Sequence, residues 1–418
     1  MLDPQDVVEL DAHDRLLIDV AQHLQLTQTE HRNNAARYRA LSNFIDAPGS
    51  VLHNRVVDVF PSGSNAIDAA IRGLIIRDTP DVDAVIVLDI PSWESPKRVI
   101  ELVVQAITRG GDDNTTYREC KVIKNSRCVT VVYADGSTVD LMPVILLRED
   151  AFAPVMQLFH FKDDVNPAES YVKLISPVGF KNAVERALKN ELGSRLYGNL
   201  SEAMRGTHNW IVSKADVEAF PDQTQFQEKS PRIVILQLLK RFRDIQFRSL
   251  DRKGRRKPPS VILATLAIEA PFARHESFTD ELIFVARYIK ARLDDAMRSG
   301  IVVRNPGYPD DIFSDRWPEI GTNDQLLLSN DLQLLINALL DLKTAQKIST
   351  RERILKVLFG EEVAKDALRS SASHIESARK AGRLAIASSG AAVVSHNAGR
   401  STVSTSERFG GDLSASDQ

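Results

Sequence analysis

Apolar residues along the chain change their spacing twice. The run LLIDVAQHL is spaced for a helix, and a second helix opens at Thr27, which with Glu30 makes a T-x-x-E capping box. Ala35, Tyr38, Leu41 and Ile45 then fall at steps of three, three and four, one apolar stripe on a long helix that stops before Pro48-Gly49. From Val56 the texture becomes that of strands: VVDVF, DAVIVLDI, then a helix begun by Ser95-Pro96 and ended by Gly110-Gly111. KVIKN and CVTVVY follow, the latter joined through ADGS to TVDLMPVILL as a hairpin signalled by Asp135-Gly136. Beyond about residue 150 the spacing is mostly helical, in VILQLLKRFRD, ELIFVARYIKARLDDAM, DLQLLINALLDLK and RERILKVLF.

This order predicts an α+β protein: a small mixed sheet with helices over residues 1–165, an all-helical second domain over 166–371, and a disordered, flexible C-terminal tail over 372–418. The tail turns to Ser, Ala and Gly with no Trp or Tyr, a composition that cannot bury enough to fold.

Composition narrows the class. At 418 residues and 43% hydrophobic the chain can bury a core in two domains. A formal net charge of -3 gives no general attraction to nucleic acid or to anionic membrane. The acidic N-terminus lacks a signal layout, and no apolar run of about eighteen residues appears, so a cytoplasmic protein with no membrane span is expected. Cys120 and Cys128 are too few for a disulfide framework or a four-thiolate zinc site and read as buried free thiols. Trp93, Trp210 and Trp317 read as core.

The chemistry centres on FPSGSNAIDAAIRGL and TPDVDAVIVLDI. Alternate strand residues share a face, so Asp81 and Asp83 project together and repel unless a cation lies between them. Magnesium, which wants oxygen ligands, is the natural cation, and Mn2+ can substitute. Asp140, in STVDLMPV, is a third carboxylate on a strand that could lie beside the first. Three carboxylates on adjacent strands suit two metal ions about 3.5–4 Å apart in an in-line phosphoryl transfer. Gly63-Ser64 before a helix-like run would let the backbone approach a triphosphate. Alone, D-x-D is more often a solvated strand end and Gly-Ser a plain turn.

In combination, Gly-Ser, helix, D-x-D opening an apolar strand and a lone Asp in a later strand resemble the nucleotidyltransferase superfamily with a polymerase-beta-like core. VFPSGS, DVDAVIVL and VDLMPV are similar to the cGAS/DncV-like nucleotidyltransferases, the bacterial CD-NTases, over roughly Thr27 to Leu368. The resemblance implies a helical domain like that of oligoadenylate synthetase. It also implies a lysine and a serine touching the triphosphate, here Lys240 in LLKRFRD and Ser260 in PPSVIL, with VVRNPGYPDD, Trp317 and VLFGEE as further matches. The implied activity joins ribonucleoside triphosphates, ATP among them, into a cyclic di- or trinucleotide second messenger of anti-phage signalling. Regulatory or conjugating partner proteins, coupling the C-terminal carboxylate at Gln418, belong to the same implication.

The chain departs from the family pattern at Asp68 and Ala69, where Gly-Thr is common, and at Val261, where an aromatic often stacks on a base. Two other readings stay open: transfer to a tRNA end or small acceptor, and a degenerate domain that binds nucleotide without reacting. The basic segment KRFRDIQFRSLDRKGRRK could bind a nucleic-acid activator, but a solvated loop beside a triphosphate pocket is preferred.

Overall fold

The computed structural model describes residues 11–74, 81–109, 117–162, 170–189, 191, 220–224, 226–272, 277–320, 322–380, 384–386 and 392–394. Leu10–Ser370 form one compact unit, and the described residues from Ser371 onward belong to a second.

Helices α1 (Ala12–His23) and α2 (Gln28–Asp46) open the chain, and Thr27 with Glu30 closes the expected capping box on α2. The sheet is built from β1 (Val56–Pro61), β2 (Val82–Leu88), β3 (Lys121–Lys124), β4 (Val129–Val132), β5 (Thr138–Arg148), β6 (Val155–His160) and β7 (Tyr171–Ile175). Its path is β1-β2-β5-β4-β3, with β6 on the second half of β5 and β7 outside β6. Only the β2–β5 pair is parallel, so the sheet is mixed as the sequence predicts. It runs to Ile175, past the expected boundary at 165, because the half-exposed strand β7 still has β6 to pair with.

Strand alternation divides two cores. Ala84, Ile86 and Leu88 of β2 face α2 and α4 (Pro96–Thr108), packing on Tyr38, Leu41, Ile45 and Val99. Val85 and Val87 face the other way, with Phe60, Val144, Met156 and Ile175. Asp83 has the same parity as Val85 and Val87, so it shares their face. Helix α4 starts at its predicted Ser95-Pro96 cap, while the predicted Gly110-Gly111 stop lies outside the described residues.

The helical region comprises α5 (Pro177–Lys189), α6 (Pro231–Gln246), α7 (Ser260–Glu269), α8 (Phe278–Asp295), α9 (Asp324–Thr344), α10 (Ile348–Phe359) and α11 (Glu361–Lys380). Leu16, Leu17 and Val20 of α1, with Leu24 just after it, enter the same core as α6, α8 and α9, so this first helix joins the helical body although it precedes the sheet in sequence. One hairpin, β8 (Arg304–Asn305) with β9 (Tyr308–Ile312), interrupts the helices. A Cβ on Gly307 at its turn would lie 2.0 Å from the Gly179 carbonyl oxygen, so the hairpin docks backbone to backbone on α5. Helix α11 continues to Lys380, beyond the expected tail boundary, and β10 (Leu384–Ile386) pairs with β11 (Ala392–Val394). The remainder of the predicted tail lies outside the described residues.

Two expectations about buried groups change. Trp317 is fully buried, but Trp93 is 86% exposed, because it sits in the turn between β2 and α4, where no element period applies. Trp210 lies outside the described residues. Cys120 and Cys128 are free thiols as expected but only half-buried, both lying near strand ends rather than mid-sheet.

Candidate active site

The parallel pairing of β2 with β5 sets Asp83 directly opposite Asp140, and Asp81 stands just before β2. The three aspartates thus cluster at one end of two adjacent strands. Thr138 donates its hydroxyl to Asp81 Oδ1, and Thr130 donates to Asp140 Oδ1. Asp83 lies deepest. Burial, then the Asp140 and Asp81 carboxylates, push its pKa up to about 7 against the pull of Lys240. Asp140 is raised too, chiefly by burial, with the Thr130 hydrogen bond opposing.

Gly63 closes over this cluster. Its φ is +57°, and a Cβ built there would fall 2.1 Å from Asp83 Oδ2, so both backbone conformation and space demand glycine. Helix α3 (Gly63–Ala66) is a single turn, not the longer helix that the run SNAIDAAIRGL suggests. The chain unwinds there because α6 and its approach take the carbonyls: Lys229 Nζ bonds Asp68 O at 2.9 Å, Lys240 Nζ bonds Ala69 O at 2.7 Å, Gln237 Nε2 bonds Ala70 O at 2.9 Å and Arg241 Nη1 bonds Gly73 O at 3.1 Å. Side-chain donors replace the i→i+4 ladder. One turn carries little dipole, so positive potential at this wall comes from side chains.

Lys240 faces the carboxylates from the helical body. Its ammonium also donates to Ser64 Oγ at 2.8 Å, and burial, then Arg243, bring its pKa down to about 7 while Asp244 and Asp83 oppose. One turn along α6, Arg243 Nη1 donates to Ser260 Oγ at 3.0 Å, fixing that hydroxyl at the start of α7. The departure at Asp68 has a structural role: it takes a left-handed φ of +55°, and its carboxylate accepts from the buried Lys229 at 2.8 Å. Ala69 is fully buried below it.

Gly63, Ser64, Asp81, Asp83, Lys240, Ser260 and Val261 all line one cavity of about 1340 Å³ between the sheet and the helical body. Asp140 is not among its lining residues but stands behind Asp83 on the neighbouring strand. Ten Lys and Arg side chains line the cavity against five aspartates, a local excess of positive charge in an acidic chain. Arg127, Lys173, Asp311, Asp315 and Arg316 are lining residues that sequence reasoning missed. Lys173 bonds Asp311 at 2.9 Å and Asp315 at 3.3 Å, tying β7 to the β8–β9 segment. The VVRNPGYPDD motif, which ends at Asp311, was the available signal for that aspartate, whereas Asp315 lies beyond it and Arg127 sits in a β3–β4 turn with none. The basic segment after Lys240 is helical to Gln246, and its Arg243, Phe247, Arg248, Arg256 and Lys257 line the cavity.

Among the described residues no three acidic, His or Cys side chains converge as ligands of one ion. The outer carboxylates are turned to threonine hydroxyls. The donor set nonetheless fits a hard divalent cation: it is all oxygen, and the burial that chiefly raises Asp83, together with repulsion from Asp140 and Asp81, is offset when a cation lies among them. Among the described residues no helix is long and apolar enough to cross a membrane.

Residues 13–154 match the model of the Second Messenger Oligonucleotide or Dinucleotide Synthetase domain, SMODS. The chain is 31% identical over 360 residues to the cyclic dinucleotide synthase CdnG of Bradyrhizobium diazoefficiens, covering 84% of this chain and 82% of that protein. Its fold superposes on the structure of the Bradyrhizobium diazoefficiens CD-NTase CdnG in complex with GTP with a TM-score of 0.66 at 28% identity, over 86% of this chain and 99% of the other. The CdnC of E. coli MS115-1, solved in a CdnC:HORMA-deltaN complex, shares the fold at 12% identity, with a TM-score of 0.53 over 85% and 98% of the two chains. With 31% identity to a cyclic dinucleotide synthase over most of both chains, and the fold of its solved structure, the chain belongs to the CD-NTase family of nucleotidyltransferases.

Proposed function

We propose that the chain joins ribonucleoside triphosphates into a cyclic di- or trinucleotide second messenger, with two Mg2+ ions held by Asp81, Asp83 and Asp140. The observation that carries this reading is the geometry of the cavity, which sets Asp81 and Asp83 across from Lys240, with Asp140 paired in register behind Asp83. Its volume of about 1340 Å³ exceeds the roughly 300–1,000 Å³ of an ordinary ligand site and suits two nucleotides at once. The relative CdnG is a cyclic dinucleotide synthase and was solved with GTP, which supports triphosphates as substrates here. A role in anti-phage signalling accords with such a product.

Each residue then has a task. Gly63 lets the backbone approach the triphosphate, Ser64 and Ser260 offer hydroxyls, and Lys240 meets the phosphate charge. The bound cations would neutralise charge developing on the transferred phosphoryl group and its leaving oxygen. Lys240 is buried and Asp83 half-buried, which limits the water reaching the phosphate-binding wall and so protects triphosphate from hydrolysis.

Release of pyrophosphate, one per bond formed, tests the reading. The parent protein with Mg2+ and mixed triphosphates should release it steadily, and a protein that binds triphosphate without release would instead be the non-catalytic domain. Lys240→Met should raise KM about 10–100-fold, the range expected from losing a charged hydrogen bond of about 1.5–3 kcal/mol. Unchanged KM would remove Lys240 from the triphosphate site.

Cation binding should also depend on pH. With the Asp83 pKa raised to about 7, a proton must leave before the carboxylate can ligate. Apparent Mn2+ affinity should therefore fall about tenfold per pH unit below that value and level off above it. Paramagnetic resonance of free Mn2+ from pH 5.5 to 8.5 measures this, and a flat profile would contradict the assignment of Asp83 as a ligand.

A further inference from the structure

We propose that Thr130, itself set by Asn125, is a positioning residue for Asp140, a role that rests on the reading of Asp140 as a cation ligand. Thr130 lies directly opposite Asp140 in the antiparallel β4–β5 pair, and its hydroxyl donates to Asp140 Oδ1. The same hydroxyl oxygen accepts from Asn125 Nδ2 at 2.6 Å. An amide NH2 only donates and an ionised carboxylate only accepts, so the hydroxyl proton is directed to Asp140. Asn125 is held in turn, its backbone N–H bonding Cys128 O at 2.9 Å across the end of the β3–β4 hairpin.

This chain has the properties of a support for a metal ligand. Thr130 is 8% exposed, and as a β-branched residue it has few χ1 choices, so its hydroxyl keeps one direction. Binding Oδ1 fixes the plane of the carboxylate. Partners of this kind orient a ligand, and their loss costs about 10–100-fold in metal affinity or activity. A purely structural hydrogen bond would act on folding alone.

Valine keeps the shape of threonine and removes the hydroxyl. Mn2+ binding by the full chain, read by paramagnetic resonance, is compared for the parent, Thr130→Val, Thr130→Ser and Asn125→Leu, with pyrophosphate release and thermal melting in parallel. Thr130→Val should weaken Mn2+ binding at least about tenfold, Thr130→Ser should stay near the parent, and Asn125→Leu should fall between them. Parent-like Mn2+ binding in Thr130→Val overturns the role, as does a parent that binds no Mn2+. If Thr130→Val fails to fold, Asn125→Leu decides by the same criterion. A Thr130-dependent metal site in a protein that releases no pyrophosphate would keep the positioning role and sink the proposed function. Product formation with parent-like metal binding in Thr130→Val would do the reverse.

Discussion

Asp81→Asn combined with Asp83→Asn should lower turnover at least about 1,000-fold while leaving the protein folded. Two carboxylates lost from the cation site remove several kcal/mol of transition-state charge stabilisation, and each 1.36 kcal/mol is tenfold in rate. Folding should survive because Asn fills the same space and removes both the cost of burying a charge at Asp83, the main cause of its raised pKa, and the repulsion from Asp140 and Asp81. Thermal melting without divalent cation should therefore be no lower for the double variant than for the parent. Pyrophosphate release at saturating triphosphate checks the rate, and parent-like turnover would mean that these aspartates hold no catalytic metal.

The second large effect should come from one methyl group. In Gly63→Ala the new Cβ would fall 2.1 Å from Asp83 Oδ2 at a φ of +57°. The left-handed backbone costs about 1–2 kcal/mol in a non-glycine residue. Relief of the clash must move Asp83 or the strand-to-turn backbone, and a misplacement near 1 Å can cost about 100-fold in rate. Turnover should fall by at least about that factor, with a modest drop in melting temperature and weaker Mn2+ binding. Ala66→Gly, on the same turn but lacking this contact, serves as control. If Gly63→Ala turns over like the parent, the glycine is not a cradle for the carboxylate.

Much of this was written in local pattern. The alternation of DAVIVL put Asp81 and Asp83 on one face, and the capping residues Thr27 and Ser95 fixed two helix starts, because these features depend on neighbours in sequence. The pairing of Asp83 with Asp140 depends on the parallel register of β2 and β5, which sequence allowed but did not dictate. Residues 67–74 carry helical spacing yet unwind, because their carbonyls are taken by Lys229, Gln237, Lys240 and Arg241, more than 150 positions away. Helix α1 looks like an isolated amphipathic segment, and only tertiary packing assigns it to the helical core. Asp68 looks like a loss from the family pattern until Lys229, its buried partner, is seen. The cations Arg127 and Lys173 reach the cavity from a turn and from an outer strand, positions where local sequence carries no sign of a site.

The most direct measurement incubates the pure protein with all four ribonucleoside triphosphates and Mg2+ or Mn2+, treats the reaction with phosphatase and identifies the products by mass spectrometry. Phosphatase strips the terminal phosphates of unreacted triphosphates and linear products but spares phosphodiesters closed in a ring. A phosphatase-resistant species with the mass of a cyclic di- or trinucleotide, absent with the Asp81 and Asp83 double variant, is the result expected. Nucleosides alone, or only linear oligonucleotides ending in free hydroxyls, would contradict cyclic synthesis by this site.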